Sequence, residues 1–308
     1  MPSNTKEVKQ RLNSINNTCK ITKAMELVAA SKMRKATQDA INTRDYYKIA
    51  WEITERLTNS KLWFSQTNPI KRFFEPCKKG KAGKTTLIIF TSNRGLCGGF
   101  NSNIIKLALE YLKKNKNTEL IAIGNKGAST LSSLGIEIPM AYKKEDLVVD
   151  DSSVRELAGE VFKKFKNKET DKVMVAYTDY KSAISQNATI KQLYPFTKKE
   201  KDRVGLGEEH IETIQKDEKE YKGYEYLYEP SKYDLLDYLA LRIGHAELYQ
   251  ALLESNASEH SSRMIAMKNA SDAAEEMADY LVLIYNKARQ AAITQEIAEI
   301  SAGCKAIK

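Results

Sequence analysis

The sequence is poor in the residues from which metal centres and catalytic clusters are made. Its four cysteines (Cys19, Cys77, Cys97, Cys304) lie far apart with no C-x-x-C pair, and its three histidines (His210, His245, His260) are equally scattered. Zinc sites need such ligands at short, paired spacings, so no metal cluster is readable. Isolated thiols of this kind fit a reduced, cytoplasmic protein and argue against a disulfide framework. No apolar run approaches the roughly 20 residues that a membrane-spanning helix requires. The start, MPSNTKEVKQRL, has neither a secretory apolar core nor an Arg/Ser-rich presequence. The expectation is a soluble protein that is not exported.

What is present is globular in composition: 308 residues, 42% hydrophobic and 29% charged, enough for one large domain or two modest ones. An excess of 49 basic over 40 acidic side chains gives +9, which suits contact with something acidic. The charges are interspersed rather than blocked, as on an ordinary solvated surface.

The stretch from Thr5 to Leu57 has no Gly and no Pro and is rich in good helix formers. Steps of four and three pick out Val8, Leu12, Ile15, Cys19, Thr22, Ala29, Met33, Ala36, Ala40, Thr43, Tyr47, Ala50 and Leu57, with Glu26 and Thr54 breaking the pattern. A period of 3.5 held this long predicts a coiled-coil seam on a helix about 80 Å long. At the other end, Pro230-Ser231 with Asp234 reads as a helix start with Ser231 as N-cap. From there to Ala302 the only breaker is Gly244, and Gly303 is placed as a C-cap. The seam steps give Leu235, Leu239, Ala246, Tyr249, Leu253, Met267, Ala270, Ala274, Met277, Leu281, Ile284, Ala288, Ala291 and Ala298, interrupted by Arg242, Asn256, His260, Arg263 and Gln295. This helix, about 105 Å long, is the natural antiparallel partner of the first.

Between them the pattern alternates. Thr86-Phe90, Glu119-Gly124 and Lys172-Thr178 read as buried strands, and Asn101-Lys114, Gly127-Leu134 and Ser152-Lys166 as helices. Such alternation predicts a small, Rossmann-like parallel sheet flanked by helices. Thr67-Lys84 and Thr197-Gly223 read as exposed connectors. The fold class is thus α/β plus a long antiparallel coiled coil, divided as 1–60, 61–230 and 231–308.

No chemistry-bearing motif survives scrutiny. Gly83-Lys84-Thr85 resembles the end of a P-loop, but Lys78 stands where the first glycine belongs, and the triplet precedes a strand instead of following one. Ser92-Asn101 (SNRGLCGGFN) does follow a strand and open a helix, where doubly wound sheets bind ligands. It lacks G-x-G-x-x-G and a later acidic partner, so it reads as a tight turn for close packing. Nothing beside Cys97 would activate its thiol. Lys20, Lys23, Lys32, Arg34 and Lys35 surround AMELVAAS, either as a solvated face or as a positive collar for an acidic partner loop.

Four runs, in order, resemble one family. KITKAMELVAASKMRKA (Lys20-Ala36) is very similar to the N-terminal helix of the gamma subunit of F-type ATP synthases, of the bacterial type. SNRGLCGGFNSNI (Ser92-Ile104) resembles its central glycine motif, and YQALLESNASEHSSRMIAMKNASDAAEEM (Tyr249-Met277) its C-terminal helix. YNKARQAAITQEIAEISAG (Tyr285-Gly303) is similar to the family's terminal signature. Asn93 stands where the family commonly has Asp, the Cys304-Lys308 tail is more polar than usual, and Lys198-Lys222 is longer than in many bacterial relatives.

The resemblance implies a non-catalytic rotor subunit, with no cofactor of its own, that couples proton flow to ATP synthesis. Its partners would be three alpha and three beta subunits around the rod, epsilon and delta, and the membrane c-ring. One copy would serve each complex, peripheral to the cell membrane on the cytoplasmic side, with no nucleic acid involved. Lys23, Met25 and Lys32 would face a beta-subunit loop, and Arg263, Arg289, Gln290 and Thr294 would hydrogen-bond to the ring. Glu296 and Glu299 are the acidic positions of the terminal signature. The alternatives are a structural coiled-coil adaptor and a nucleotide-binding enzyme centred on Gly95-Gly99.

Overall fold

The computed structural model describes residues 2–58, 70–75, 83–144, 151–196, 229 and 231–306. The predicted Thr197-Gly223 connector, Cys77, His210 and the Tyr47 side chain lie outside the described residues. The elements, in chain order, are α1 (Pro2–Thr58), α2 (Lys71–Phe74), β1 (Thr85–Phe90), α3 (Phe100–Lys114), β2 (Thr118–Ile123), α4 (Asn125–Ser133), β3 (Met140–Tyr142), α5 (Asp151–Lys166), β4 (Lys172–Tyr180), β5 (Gln186–Tyr194) and α6 (Lys232–Ala306). They form two compact units, Met1–Ala30 with Arg263–Lys308, and Ser31–Ser262.

Both terminal helices form as the absence of breakers requires. α6 starts where Ser231 caps it: the Asp234 N–H donates to Ser231 Oγ at 3.2 Å, and the Ser231 hydroxyl donates back to Asp234 Oδ2 at 2.6 Å. One expectation fails along α6: Gly303 does not end it, because the helix continues to Ala306 and nothing forces a left-handed turn at that glycine. The helix runs unbroken through Gly244, as expected. The helix crosses the ring of Tyr194 there, and a Cβ on residue 244 would stand 1.7 Å from the Tyr194 hydroxyl oxygen.

In the first unit α1 and α6 pair through small residues. Val8, Thr22 and Ala29 are buried on one side, and Met267, Ser271 and Ala278 on the other. Ser271 Oγ donates to Thr22 Oγ1 at 2.7 Å, while the Thr22 hydroxyl points back to the Thr18 and Cys19 carbonyls of its own helix. The α1 seam follows the expected steps, but the α6 seam departs from them. Met277, Ala291 and Ala298 are exposed, and Ser271 and Ala278 take the inner positions. The inner positions step as Met267, Ser271, Ala274, Ala278, Leu281, Tyr285, Ala288 and Ala292. This is still a 3.5-residue count, but with the three- and four-residue steps exchanged, so every other expected position is displaced by one residue. Beyond Ala278, no residue of α6 whose burial is described is buried.

The second unit is a three-layer arrangement. Its five-stranded sheet has the order β3-β2-β1-β4-β5, parallel except for the antiparallel β4–β5 pair. Every residue of β1 is buried, and its alternation serves both faces. Leu87 and Ile89 pack against α3 and α4, whereas Ile88 and Phe90 face the core shared with α5, α6 and α1. Two strands were not expected: β3 has three residues, and β5 (QNATIKQLY) is a mostly half-buried edge strand without an apolar run. The Thr67-Lys84 connector is not wholly exposed. Ile70 and Phe73 of the α2 region are buried, and Phe73 sits among Phe162, Phe165 and Tyr194 with ring centroids 4.7–5.0 Å away.

Within this unit α1 and α6 run antiparallel. Thr43 Oγ1 donates to Gln250 Oε1 at 2.7 Å, Gln250 Nε2 donates to the Ala40 carbonyl at 3.3 Å, and Trp51 Nε1 donates to Glu247 Oε1 at 3.3 Å. From Gln250 to Ser261 every residue of α6 is buried, although most are polar.

Candidate partner interface

Strand order places the switch point of the sheet between β1 and β4, since β1–β2–β3 builds outward on one side and β4–β5 on the other. Ligands of doubly wound domains bind at the carboxyl ends of the strands there. In this protein that place is taken by α6. Ser258 Oγ donates to the Thr178 carbonyl near the end of β4 at 3.1 Å, and Ser261 Oγ donates to the Ala183 carbonyl just beyond it at 2.6 Å. Lys144, two residues after β3, reaches into the same region. Its Nζ lies 2.7 Å from Glu259 Oε2 and 3.4 Å from Ser255 Oγ, with side chains 0% and 1% exposed for Lys144 and Glu259. The ammonium also stands 5.3 Å from the centroid of Phe100, the first residue of α3.

The SNRGLCGGFN loop after β1 supports this closure. Asn101 holds the turn shut: its Oδ1 accepts from the Ser92 N–H at 3.0 Å, and its Nδ2 donates to Ser92 Oγ at 2.7 Å and to Cys97 Sγ at 3.2 Å. Leu96 adopts φ 61° and Gly98 φ 55°, a reversal that brings Cys97 inward, where it is buried. The Asn93 side-chain amide pairs with the backbone of Lys144, accepting its N–H at 3.1 Å and donating to its carbonyl. An amide can do both, whereas a carboxylate can only accept. Lys84, of the rejected P-loop triplet, precedes β1 and pairs with Glu119 at 2.8 Å.

The predicted contact residues lie on the two terminal helices. In the first unit Lys23 is exposed and pairs with Glu26 at 3.2 Å, Met25 and Arg263 are half-buried, and Arg289, Gln290, Thr294, Glu296 and Glu299 are exposed. The Thr294 hydroxyl donates to the Gln290 backbone carbonyl one turn before it at 2.9 Å, and Gln290 itself is exposed. Glu299 accepts from Gln295 at 2.9 Å. Lys32, in the second unit, is half-buried. Around the exposed positions stand large apolar side chains: Leu283 is 69% exposed, Ile293 47%, Ile297 62% and Ile300 67%. These residues belong to a stretch of about 40 Å of helix in which no residue of described burial is fully buried and only Leu281, Ile284, Tyr285, Ala288 and Ala292 are half-buried. An uncovered apolar stripe of that length marks a surface made for another protein.

Spacing arguments did not find Lys144 or Glu259. The first lies in the run KKED, which reads as surface charge, and the second in the polar run SNASEHSS. One signal was available: in that run small residues occur on every side of the helix, a pattern suited to close approach from several directions and not to a single seam.

Comparison with known proteins agrees with this architecture. A family model described as ATP synthase matches residues 4–307. The ATP synthase gamma chain of Geotalea uraniireducens is 38% identical over 307 residues, covering 98% of this chain and 98% of the relative. That of Histophilus somni is 34% identical over 310 residues, covering 98% and 99%. Among solved structures, a chain of the central stalk and c-ring of the Tetrahymena thermophila mitochondrial ATP synthase aligns with a TM-score of 0.59 at 28% identity, over 82% of this chain and 99% of that one. A chain from the Euglena gracilis mitochondrial enzyme shares the fold, with a TM-score of 0.65 at 17% identity over 100% and 95%. With a family model over residues 4–307 and ATP synthase gamma chains 34–38% identical over nearly its whole length, this chain belongs to the ATP synthase gamma chain family.

Proposed function

We propose that this chain acts as the rotating shaft of an F-type ATP synthase and has no catalytic role of its own. It is a central-stalk subunit of a membrane-associated complex. The shaft stands within a ring of three alpha and three beta subunits, while the α/β domain meets epsilon and the c-ring. Delta belongs to the same assembly, and the soluble parts lie on the cytoplasmic side. Turning with the c-ring, an asymmetric shaft holds each beta subunit in a different state and so couples ion flow to ATP synthesis. A stiff helix pair transmits torque, whereas a flexible linker would dissipate it.

The observation that carries this reading is the uncovered end of α6, where Leu283, Ile293, Ile297 and Ile300 face outward beside Arg289, Gln290 and Thr294. No helix among the described residues is long and apolar enough to cross a membrane. Attachment then falls to protein contacts. The test is affinity purification of the tagged chain from detergent-solubilised membranes. It should bring down the catalytic ring and the c-ring with one copy of this chain per complex. Recovery of the chain alone, or of only nucleic acid, would refute the proposal.

A further inference from the structure

We propose that Lys144 and Glu259 are positioning residues for coupling: with Asn93, they lock α6 to the α/β domain against turning about its own axis. The inference rests on the rotor reading above and adds to it the point at which rotation is handed to the shaft helix.

The geometry favours a lock over general packing. α6 also meets the domain through Leu248, Ala251 and Leu252. Apolar contact of that kind is non-directional and gives little resistance to a helix rolling in its groove. The Lys144–Glu259 bond is directional, lies off the helix axis, and is closed to water on both sides. Ser255 and Glu259 are one turn apart on the same face of α6, so the ammonium grips two successive turns. The grip has a fixed origin, because the Asn93 amide holds both the N–H and the carbonyl of Lys144 to the loop after β1. A buried ion pair contributes little net stability compared with apolar residues of the same volume, so its value here is geometric. Ser258 and Ser261 add hydrogen bonds to the Thr178 and Ala183 carbonyls. The Lys144–Glu259 bond is the charge-assisted, water-excluded member of this set, through which torque on the domain reaches the helix as a sideways force.

The test uses the whole complex in inverted membrane vesicles, reading ATP hydrolysis and ATP-driven proton pumping together. The key variant is the apolar pair Lys144→Met with Glu259→Leu, which keeps the volume and removes the directional bond. Assembly should persist and hydrolysis should stay within about twofold, while protons pumped per ATP fall roughly fivefold or more. Asn93→Ala should shift the same ratio in the same direction by a smaller factor. The reversed pair, Lys144→Glu with Glu259→Lys, should recover part of the pumping, which a role in space-filling alone would not give. Wild-type pumping per ATP in the apolar pair overturns the lock. Failure of both the apolar pair and Asn93→Ala to assemble also overturns it, by assigning these residues to folding. If the unaltered chain supports no ATP-driven pumping, the rotor reading fails instead, whatever the variants do.

Discussion

Gly244 of α6 lies against the edge of the Tyr194 ring, so close that a Cβ there would stand 1.7 Å from the hydroxyl oxygen and 2.6 Å from Cζ. The glycine is a packing requirement, since it sits within an unbroken helix. Gly244→Ala should destabilise the chain by about 1–3 kcal/mol through overpacking, despite alanine's better helix propensity. Thermal denaturation of the assembled complex, followed by loss of this subunit, would measure it. Equal or higher stability would contradict the close approach.

The same tyrosine carries a hydroxyl that is fully buried with no hydrogen-bond partner among the described residues. Burial, and secondarily the charge of Glu247, push its ionisation well above the usual tyrosine range, so it stays neutral. Removing an unsatisfied buried hydroxyl recovers its desolvation cost. Tyr194→Phe should therefore be neutral or stabilising by about 1 kcal/mol, and should partly rescue Gly244→Ala. A loss of stability in the single variant would mean that the hydroxyl has a partner.

Glu119 gives a pH dependence of known sign. Burial pushes its carboxyl up, but hydrogen bonds from Lys164 and Lys84, with their charges, bring it below its ordinary 4.5 overall. A carboxyl lowered by folding stabilises the fold above its unfolded value and loses that contribution as pH falls through the depressed folded value. Lys84 is raised from 10.5, chiefly by its hydrogen bond to Glu119, so its contribution is complete below that value and is lost as pH climbs through the raised one. Glu119→Gln should flatten both limbs of the stability profile, below about pH 4.5 and above about pH 10.5. An unchanged acid limb would show that the cluster contributes nothing.

Gln290 and Thr294 are exposed near the end of α6, where the Thr294 hydroxyl donates to the Gln290 carbonyl. Replacing both, as Gln290→Leu with Thr294→Val, removes polar contacts without creating strain in the chain. Each lost interface hydrogen bond costs on the order of 1–3 kcal/mol. The complex should assemble, and ATP synthesis in vesicles should fall several-fold. Unchanged synthesis would reassign the contact surface.

In the helix pair, a double-mutant cycle on Thr22→Val and Ser271→Ala should return a coupling energy of about 1 kcal/mol, reflecting the 2.7 Å bond between their hydroxyls. A coupling near zero would count against the register.

The helices were legible because a breaker-free run has few alternatives, and Val8, Ala29, Ala36, Ala40 and Leu57 bury as their spacing requires. β1, β2 and β4 were legible because central parallel strands are apolar throughout. β5 was not: its residues are mostly polar, and pairing with β4 decides its conformation. The α6 seam was legible in part: Met267, Ala274, Leu281 and Ala288 lie inward as spaced, while Met277 and Ala291 miss by one residue. Between Gln250 and Ser261 the helix is enclosed on all sides, so no single apolar stripe exists to be counted. The contact surface came from family resemblance, because an exposed Gln or Thr carries no spacing signal of its own.

The carboxyl ends of the strands beside β1 are where doubly wound sheets in general bind their ligands, and here Ser258 and Glu259 of α6 occupy that place. Cellular adenylates have no vacancy there to compete for. The drive train is thus deaf, at that position, to the very ATP and ADP levels that the machine exists to change.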